Sequence, residues 1–405
     1  MTAGSPTVRR VLKGNLCSGC GLCAGISGGA IGMTMAPPGF ARPVQSSSLT
    51  PAVEAVVAES CPGSRIAPWD DDPNRHPYWG PARDTRVGFA LDDQVRHAGA
   101  SGGLLSALVI HALDIRMIDR VLHVEADPDQ PTGNRMRWSR TREDVLAGAG
   151  SRYAPSSPLE HIDAALSEGG RFAFIGKPCD VSALRQLAKH DRRVDAHVPL
   201  MLSFYCGGLP SRSGADRVIR AMGLEPLDLV SFRYRGNGWP GLTVAQTGAG
   251  DIGEMRYADS WGRHLSKEVQ FRCKICPDAV GAVADIACAD AWYGDEGGYP
   301  SFDEQDGRSL LQVRTAVGEA LVQSALAANA LRTESLPVGE IELMQPSQAN
   351  RKRLIVARTA ACRILMRPVP AMENLDVERA SKLAPSREKI RNFLGSISRI
   401  MRRRN

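Results

Sequence analysis

Cys17-Ser18-Gly19-Cys20-Gly21-Leu22-Cys23 sets three cysteines two residues apart, and Cys61-Pro62 follows after a segment without cysteine. Three thiolates at this spacing, with glycines that let the backbone fold back and aim its amides at sulfur, form a nest for a cubane iron–sulfur cluster. Cys61 is the nearby candidate for the fourth ligand, and ferredoxin-type sites commonly carry a proline after it. Zinc also takes four cysteines, but it usually meets them as two pairs. A triplet plus one remote cysteine favours the cluster, and packing alone does not select a spaced triplet.

Further along, Arg171 to Gly176 reads as a buried strand that runs into Lys177-Pro178-Cys179-Asp180 and a helix over 181–189. A second strand, Leu200 to Tyr205, ends at Cys206-Gly207-Gly208. Both deliver a cysteine to the carboxyl edge of a sheet, where α/β proteins gather ligands. Cys273-Lys274-Ile275-Cys276-Pro277 completes a second set of four. A two-cysteine turn alone also suits zinc or a redox disulfide, and the Cys-Pro ending tips the reading towards a second cluster. Cys288 and Cys362 lie in apolar stretches and read as small core residues.

The remaining signals describe a mixed α/β chain. Residues 1–62 form a small ferredoxin-like iron–sulfur module, with a strand and turn at Ala30 to Gly39. Residues 63–86, rich in Pro, Asp and Arg around Trp69, Tyr78 and Trp79, read as a linker. From 87 to 365 strands and helices alternate as in an α/β domain. Its first strand (87–90) leads through Gly99-Ala100-Ser101-Gly102-Gly103 to an apolar helix over 104–113, a turn able to seat a phosphate on unpaired amides. The spacing matches neither the Walker loop nor the dinucleotide fingerprint. Residues 227–272 read as β-rich, 310–313 as a strand and 317–331 as a helix. In the basic tail, 366–405, Ile390, Phe393, Leu394, Ile397, Ile400 and Met401 share one helical face opposite Arg387, Lys389, Arg391 and Arg399. Such a helix either docks on its own domain, the favoured reading, or makes peripheral contact with an anionic membrane.

At 405 residues, 43% hydrophobic and 23% charged, the chain has the composition of a globular protein with a large core. Its net charge of +6 is concentrated near the end and gives no argument for nucleic acid. No signal-peptide h-region or membrane-length apolar run is present, so a cytoplasmic location is the expectation, and ten cysteines in a reducing compartment point to metal rather than disulfides.

Taken in order, Cys17-x-x-Cys20-x-x-Cys23, Gly99 to Gly103, Ser151-Arg152-Tyr153, Gly176-Lys177-Pro178-Cys179, Cys273-x-x-Cys276 and Asp285 to Gly294 resemble the coenzyme F420 hydrogenase/dehydrogenase beta-subunit family over about residues 12–365. That family also includes 7-hydroxymethyl chlorophyll a reductase and a divinyl chlorophyllide reductase. The resemblance implies FAD beside two 4Fe-4S clusters in an oxidoreductase. Ala100, Ser101, Gly102 and Gly103, the Ser151-Arg152-Tyr153 stretch, and Lys177-Pro178 would hold the flavin. Cys179, Cys206, Cys273 and Cys276 would ligate the cluster next to it, and Cys17, Cys20, Cys23 and Cys61 the other. Lys177 replaces the family's usual small hydroxyl residue, which brings a positive charge to the flavin or to an acidic substrate.

Clusters pass single electrons and a flavin holds one or two, so a flavin belongs where single-electron supply meets two-electron chemistry. The expected donor is ferredoxin or another redox partner, and the acceptor a small molecule or coenzyme F420. His97, Lys177, Asp180 and Asp290 are the candidate catalytic groups. An electron-transfer subunit without a substrate of its own and a zinc-stapled structural protein are the competing readings, and a homo-oligomer is compatible with each.

Overall fold

The computed structural model describes residues 4–68, 75–295 and 299–402. An eight-stranded mixed sheet runs through the middle in the order Leu331–Ser335, Asp84–Ala90, Ser309–Val313, Ile286–Asp290, Leu200–Phe204, Phe172–Ile175, Arg120–Ala126, Asn134–Ser139. The four strands 286–290, 200–204, 172–175 and 120–126 are mutually parallel, and the flanking strands pair antiparallel. The parallel strands carry apolar runs because helices cover both faces.

Alternation along each strand shows the layering. Val121, Ala173, Leu200 and Leu202 pack with Leu104, Leu108 and Ala112 of the helix Leu104–Asp114 and with Leu321 and Val322 of the helix Ala316–Ala327. Their neighbours Leu122, Phe172, Phe174 and Met201 face the other way, onto Val181, Leu184 and Leu187 of the helix Pro178–Leu187. Cys20 and Leu22 join this second core, so the cysteine triplet is packed directly against the sheet domain.

The N-terminal segment has a helix Pro6–Lys13, a hairpin Ile31–Ala36/Phe40–Gln45 and a helix Pro51–Ser60. Within 63–86, Arg65–Ile66 pairs in parallel with Ala371–Met372, and Tyr78 and Trp79 are buried against Val87 and Leu310. Trp69 lies outside the described residues. Part of the stretch 227–272 differs from its β-rich expectation. Three antiparallel strands occupy 229–256, but 257–268 is helical, with Trp261 and Leu265, four residues apart, packed into the cluster around Phe232 and Tyr234. The edge strands Asn134–Ser139 and Leu331–Ser335 were not anticipated either. Both are polar and half-exposed, so they lack the buried-strand signal.

Candidate functional site

Cys17, Cys20, Cys23 and Cys61 line one small pocket, with Val8, Val11, Leu22, Met33 and Pro43 among its other walls. Gly19 and Gly21 make this possible by holding φ at +77° and +84°, where side chains are disfavoured. A Cβ on Gly21 would stand 2.8 Å from the Glu160 amide nitrogen. The turn aims amides at sulfur: those of Gly19, Leu22 and Ala24 donate towards Cys17, Cys20 and Cys23, and those of Gly63 and Ser64 towards Cys61. Burial pushes all four thiols up, Cys61 to about 11, and neighbouring sulfurs push Cys20, Cys23 and Cys61 further in the same direction. Four thiolates in such a pocket need a cationic centre among them.

The second foursome gathers at the carboxyl edge of the sheet. Cys179 stands in the first turn of the helix Pro178–Leu187, Cys206 lies past the strand Leu200–Phe204, and Cys273 and Cys276 lie in and after the helix Phe271–Lys274. Burial raises Cys179 and Cys206, the latter to about 12, and other sulfurs add to it: Cys206 and Cys276 act on Cys179, Cys273 and Cys276 on Cys206. The Leu209 amide donates to Cys273 Sγ at 3.4 Å. Among the described residues no three His, Cys, Asp or Glu side chains converge tightly enough to hold a single metal ion.

Two residues span the gap between the foursomes. Arg272, 2% exposed, donates to the Pro62 carbonyl at 3.0 and 3.3 Å and faces Cys276, Cys179 and Cys273. Gln270 donates from Nε2 to the Ser18 carbonyl at 3.4 Å and contacts Cys273 Sγ at 3.6 Å. Sequence reasoning missed both, because nothing local marks a polar residue as lying between two cysteine sets remote in the chain.

Cys206 also lines a cavity of about 550 Å³. Of the residues expected to hold a flavin, Ala100, Ser101, Gly103, Ser151, Arg152, Tyr153 and Lys177 line it. Gly102 and Pro178 stand behind the wall. The Gly102 amide donates to Ser309 Oγ at 2.8 Å, and Pro178 is buried as the first residue of its helix. Ser101 Oγ donates to the Arg308 carbonyl at 2.9 Å, and the first-turn residues Leu104, Leu105 and Ser106, whose amides have no partner within the helix, also face the cavity. Arg152 braces the wall by donating to Asn134 Oδ1 and to the carbonyls of Pro131, Gly133 and Phe232. Tyr153, Tyr257, Trp261, Trp292 and Phe302 supply aromatic surface.

Three of the four candidate catalytic residues, Lys177, Asp180 and Asp290, line the cavity, and His97 does not. Lys177 and Asp180 line the cavity as a buried ion pair at 2.7 Å. Burial depresses the Lys177 pKa, but Asp180, then Cys179 and Cys206, more than reverse this, so the ammonium is retained. Asp290 accepts from Arg235 at 2.9 and 3.1 Å and from Trp239 Nε1 at 2.8 Å, which occupies both its oxygens. Arg235 went unnoticed in the sequence. The turn after it, Gly236 to Gly241, returns the Pro240 carbonyl to its Nε at 3.0 Å. His97 is exposed, away from the cavity lining, and its carbonyl accepts from the Gly238 amide.

The fold and site define a mixed α/β protein with two cysteine foursomes leading to an aromatic cavity. Models of the coenzyme F420 hydrogenase/dehydrogenase beta subunit match residues 85–163 with its N-terminal part and 169–338 with its C-terminal part, and the chain belongs to that family. The matched span is narrower than the 12–365 expected from motifs. It contains the second foursome and leaves the cysteine triplet outside. The chain is 25% identical over 290 residues to the coenzyme F420 hydrogenase subunit beta of Methanococcus voltae, covering 69% of this chain and 95% of that one. It is 25% identical to the 7-hydroxymethyl chlorophyll a reductase of Oryza sativa subsp. japonica, over 45% of this chain and 38% of the relative, and 26% identical to the F420-dependent formate dehydrogenase subunit beta of Methanocaldococcus jannaschii, over 55% and 57%. A chain of the F420-reducing hydrogenase complex from Methanosarcina barkeri shares the fold at a TM-score of 0.55 and 21% identity, covering 71% of this chain and 96% of that one.

Proposed function

We propose that this protein is an iron–sulfur flavoprotein oxidoreductase that takes single electrons from a ferredoxin-type donor and delivers pairs to a small molecule or deazaflavin. The observation that carries the reading is the adjacency of the two cysteine foursomes, bridged by Arg272 and Gln270, with Cys206 opening on the cavity. Cys17, Cys20, Cys23 and Cys61 would hold one 4Fe-4S cluster, and Cys179, Cys206, Cys273 and Cys276 the other. The residues fit such groups: four cysteines are available to each cluster, and amides are aimed at the first set of sulfurs. The cavity fits FAD through the helix start after Gly103 and its aromatic walls. Bound there, clusters and flavin supply the exchange of single electrons for pairs.

The chain's own residues do the rest. Lys177 keeps a positive charge at the junction of cavity and second foursome, where it favours anionic character in whatever is bound. Asp180 fixes that charge by accepting from Lys177 Nζ at 2.7 Å and its amide at 3.0 Å. Arg235 and Asp290 also line the cavity, and Trp239 steadies Asp290 by donating from Nε1 at 2.8 Å. Relatives whose names specify F420 or a chlorophyll keep both substrate classes open, and the membership of the M. barkeri neighbour in a complex keeps a partner subunit in view. Purification without oxygen, followed by iron, sulfide and flavin analysis, tests the proposal. The expected result is about eight irons and one FAD, with Cys20→Ser losing half the iron and keeping the flavin. Stoichiometric zinc, or loss of flavin with iron intact in Cys20→Ser, would refute it.

A further inference from the structure

The chain's 50 basic and 44 acidic residues are unevenly placed. Seven of the basic residues and one acidic residue fall in 386–405, so the 385 residues before them carry 43 of each sign and the whole net charge of +6 resides in this segment. Its helix, Ser386–Arg402, docks on the helix Ile355–Ile364 through one face: Ser396 and Ile400 are buried, and Arg358 donates to Asn392 Oδ1 at 3.1 and 3.3 Å. A different face carries Ile390, Leu394 and Met401, which are 60%, 56% and 54% exposed. At the helical repeat these three fall within about 40° of one another. Arg387, Arg391 and Arg402, also exposed, border them along one side.

Docking therefore uses only part of the apolar surface and leaves an aliphatic stripe with a cationic margin in water. The stripe is one side chain wide and contains no aromatic anchor, unlike the core of a protein–protein interface. Shallow aliphatic insertion combined with cationic attraction is the pair of weak signals that gives reversible binding to an anionic bilayer. No described helix is long and apolar enough to cross a membrane, so the contact is with the surface. We infer that the helix Ser386–Arg402 lies on anionic phospholipid, with Ile390, Leu394 and Met401 in the headgroup–acyl boundary and Arg387, Arg391 and Arg402 at the phosphates. This inference does not rest on the redox reading.

Co-sedimentation of the full-length protein with phosphatidylglycerol/phosphatidylcholine vesicles, against pure phosphatidylcholine vesicles, tests it. The wild type partitions at least about tenfold more strongly onto the anionic vesicles, and added salt weakens the binding. I390S/L394S/M401S lowers that binding at least tenfold while the protein still melts as a folded species, since all three residues are more than half exposed. R387Q/R391Q/R402Q abolishes the preference for anionic lipid. Three results overturn the inference: wild type left in the supernatant with anionic vesicles, undiminished binding by the apolar triple variant, or a concentration-dependent dimer that this variant turns into a monomer, which gives the stripe to a second copy.

Discussion

Asp290, a candidate proton donor from its motif position, is held in the structure as an ion-pair partner. Its carboxylate is the counter-charge of Arg235, whose side chain is 3% exposed and whose Nη2 also donates to the Ala100 carbonyl at 2.6 Å. Asp290→Asn leaves that guanidinium buried with a weaker partner, and the cost is about 3 kcal/mol or more. Thermal melting at neutral pH should record the loss. A proton donor would instead leave stability intact and change only the pH profile of turnover. His123 gives a second test. It is buried, bonded to Ser139 Oγ at 2.6 Å, and its pKa is pushed down to about 4 by burial and then by Arg137. The unfolded chain protonates near 6.5 while the folded one does not, so its contribution is full above that pH and is lost as pH falls towards 4. The difference is about 3 kcal/mol. Denaturant midpoints at pH 7 and pH 4 should show this slope, and His123→Leu should flatten it.

The elements explain why some of the site was legible in the chain and some was not. The triplet and Cys61 could be grouped from spacing, since a tight turn must bring residues two apart together. Cys179 and Cys206 could be placed because buried parallel strands have a recognisable apolar run and a defined carboxyl end. Arg235, Trp239, Gln270 and Arg272 gain their roles only from contacts across the fold, so no local pattern announces them. The helical stretch 257–268 shows the same limit, since one spacing of four among polar residues was outweighed by neighbouring strands. The glycine turn offers a controlled comparison. Gly21→Ala combines left-handed strain with a clash on the Glu160 amide, whereas Gly28, at φ +60°, has open space around its missing Cβ. Gly28→Ala should cost about 1–2 kcal/mol with iron content unchanged. Gly21→Ala should cost more and lower the iron by half.

In the whole molecule, the N-terminal segment is built into the sheet domain. Cys20 and Leu22 belong to the core that includes Phe172 and Phe174, and Arg65–Ile66 pairs with a strand from beyond residue 370. That packing fixes the first foursome against the second. The net charge is concentrated in 386–405, and the helix Ser386–Arg402 is tied to the second foursome's turn through Arg358, which donates to both Asn392 Oδ1 and the Lys274 carbonyl. The proposed function needs two clusters side by side within one chain, and electron paramagnetic resonance of the fully reduced protein reads that pair. Coupling between two neighbouring clusters should broaden the spectrum, which collapses to a single uncoupled signal in Cys20→Ser; two independent signals in the wild type, or no iron signal at all, would rule the pair out.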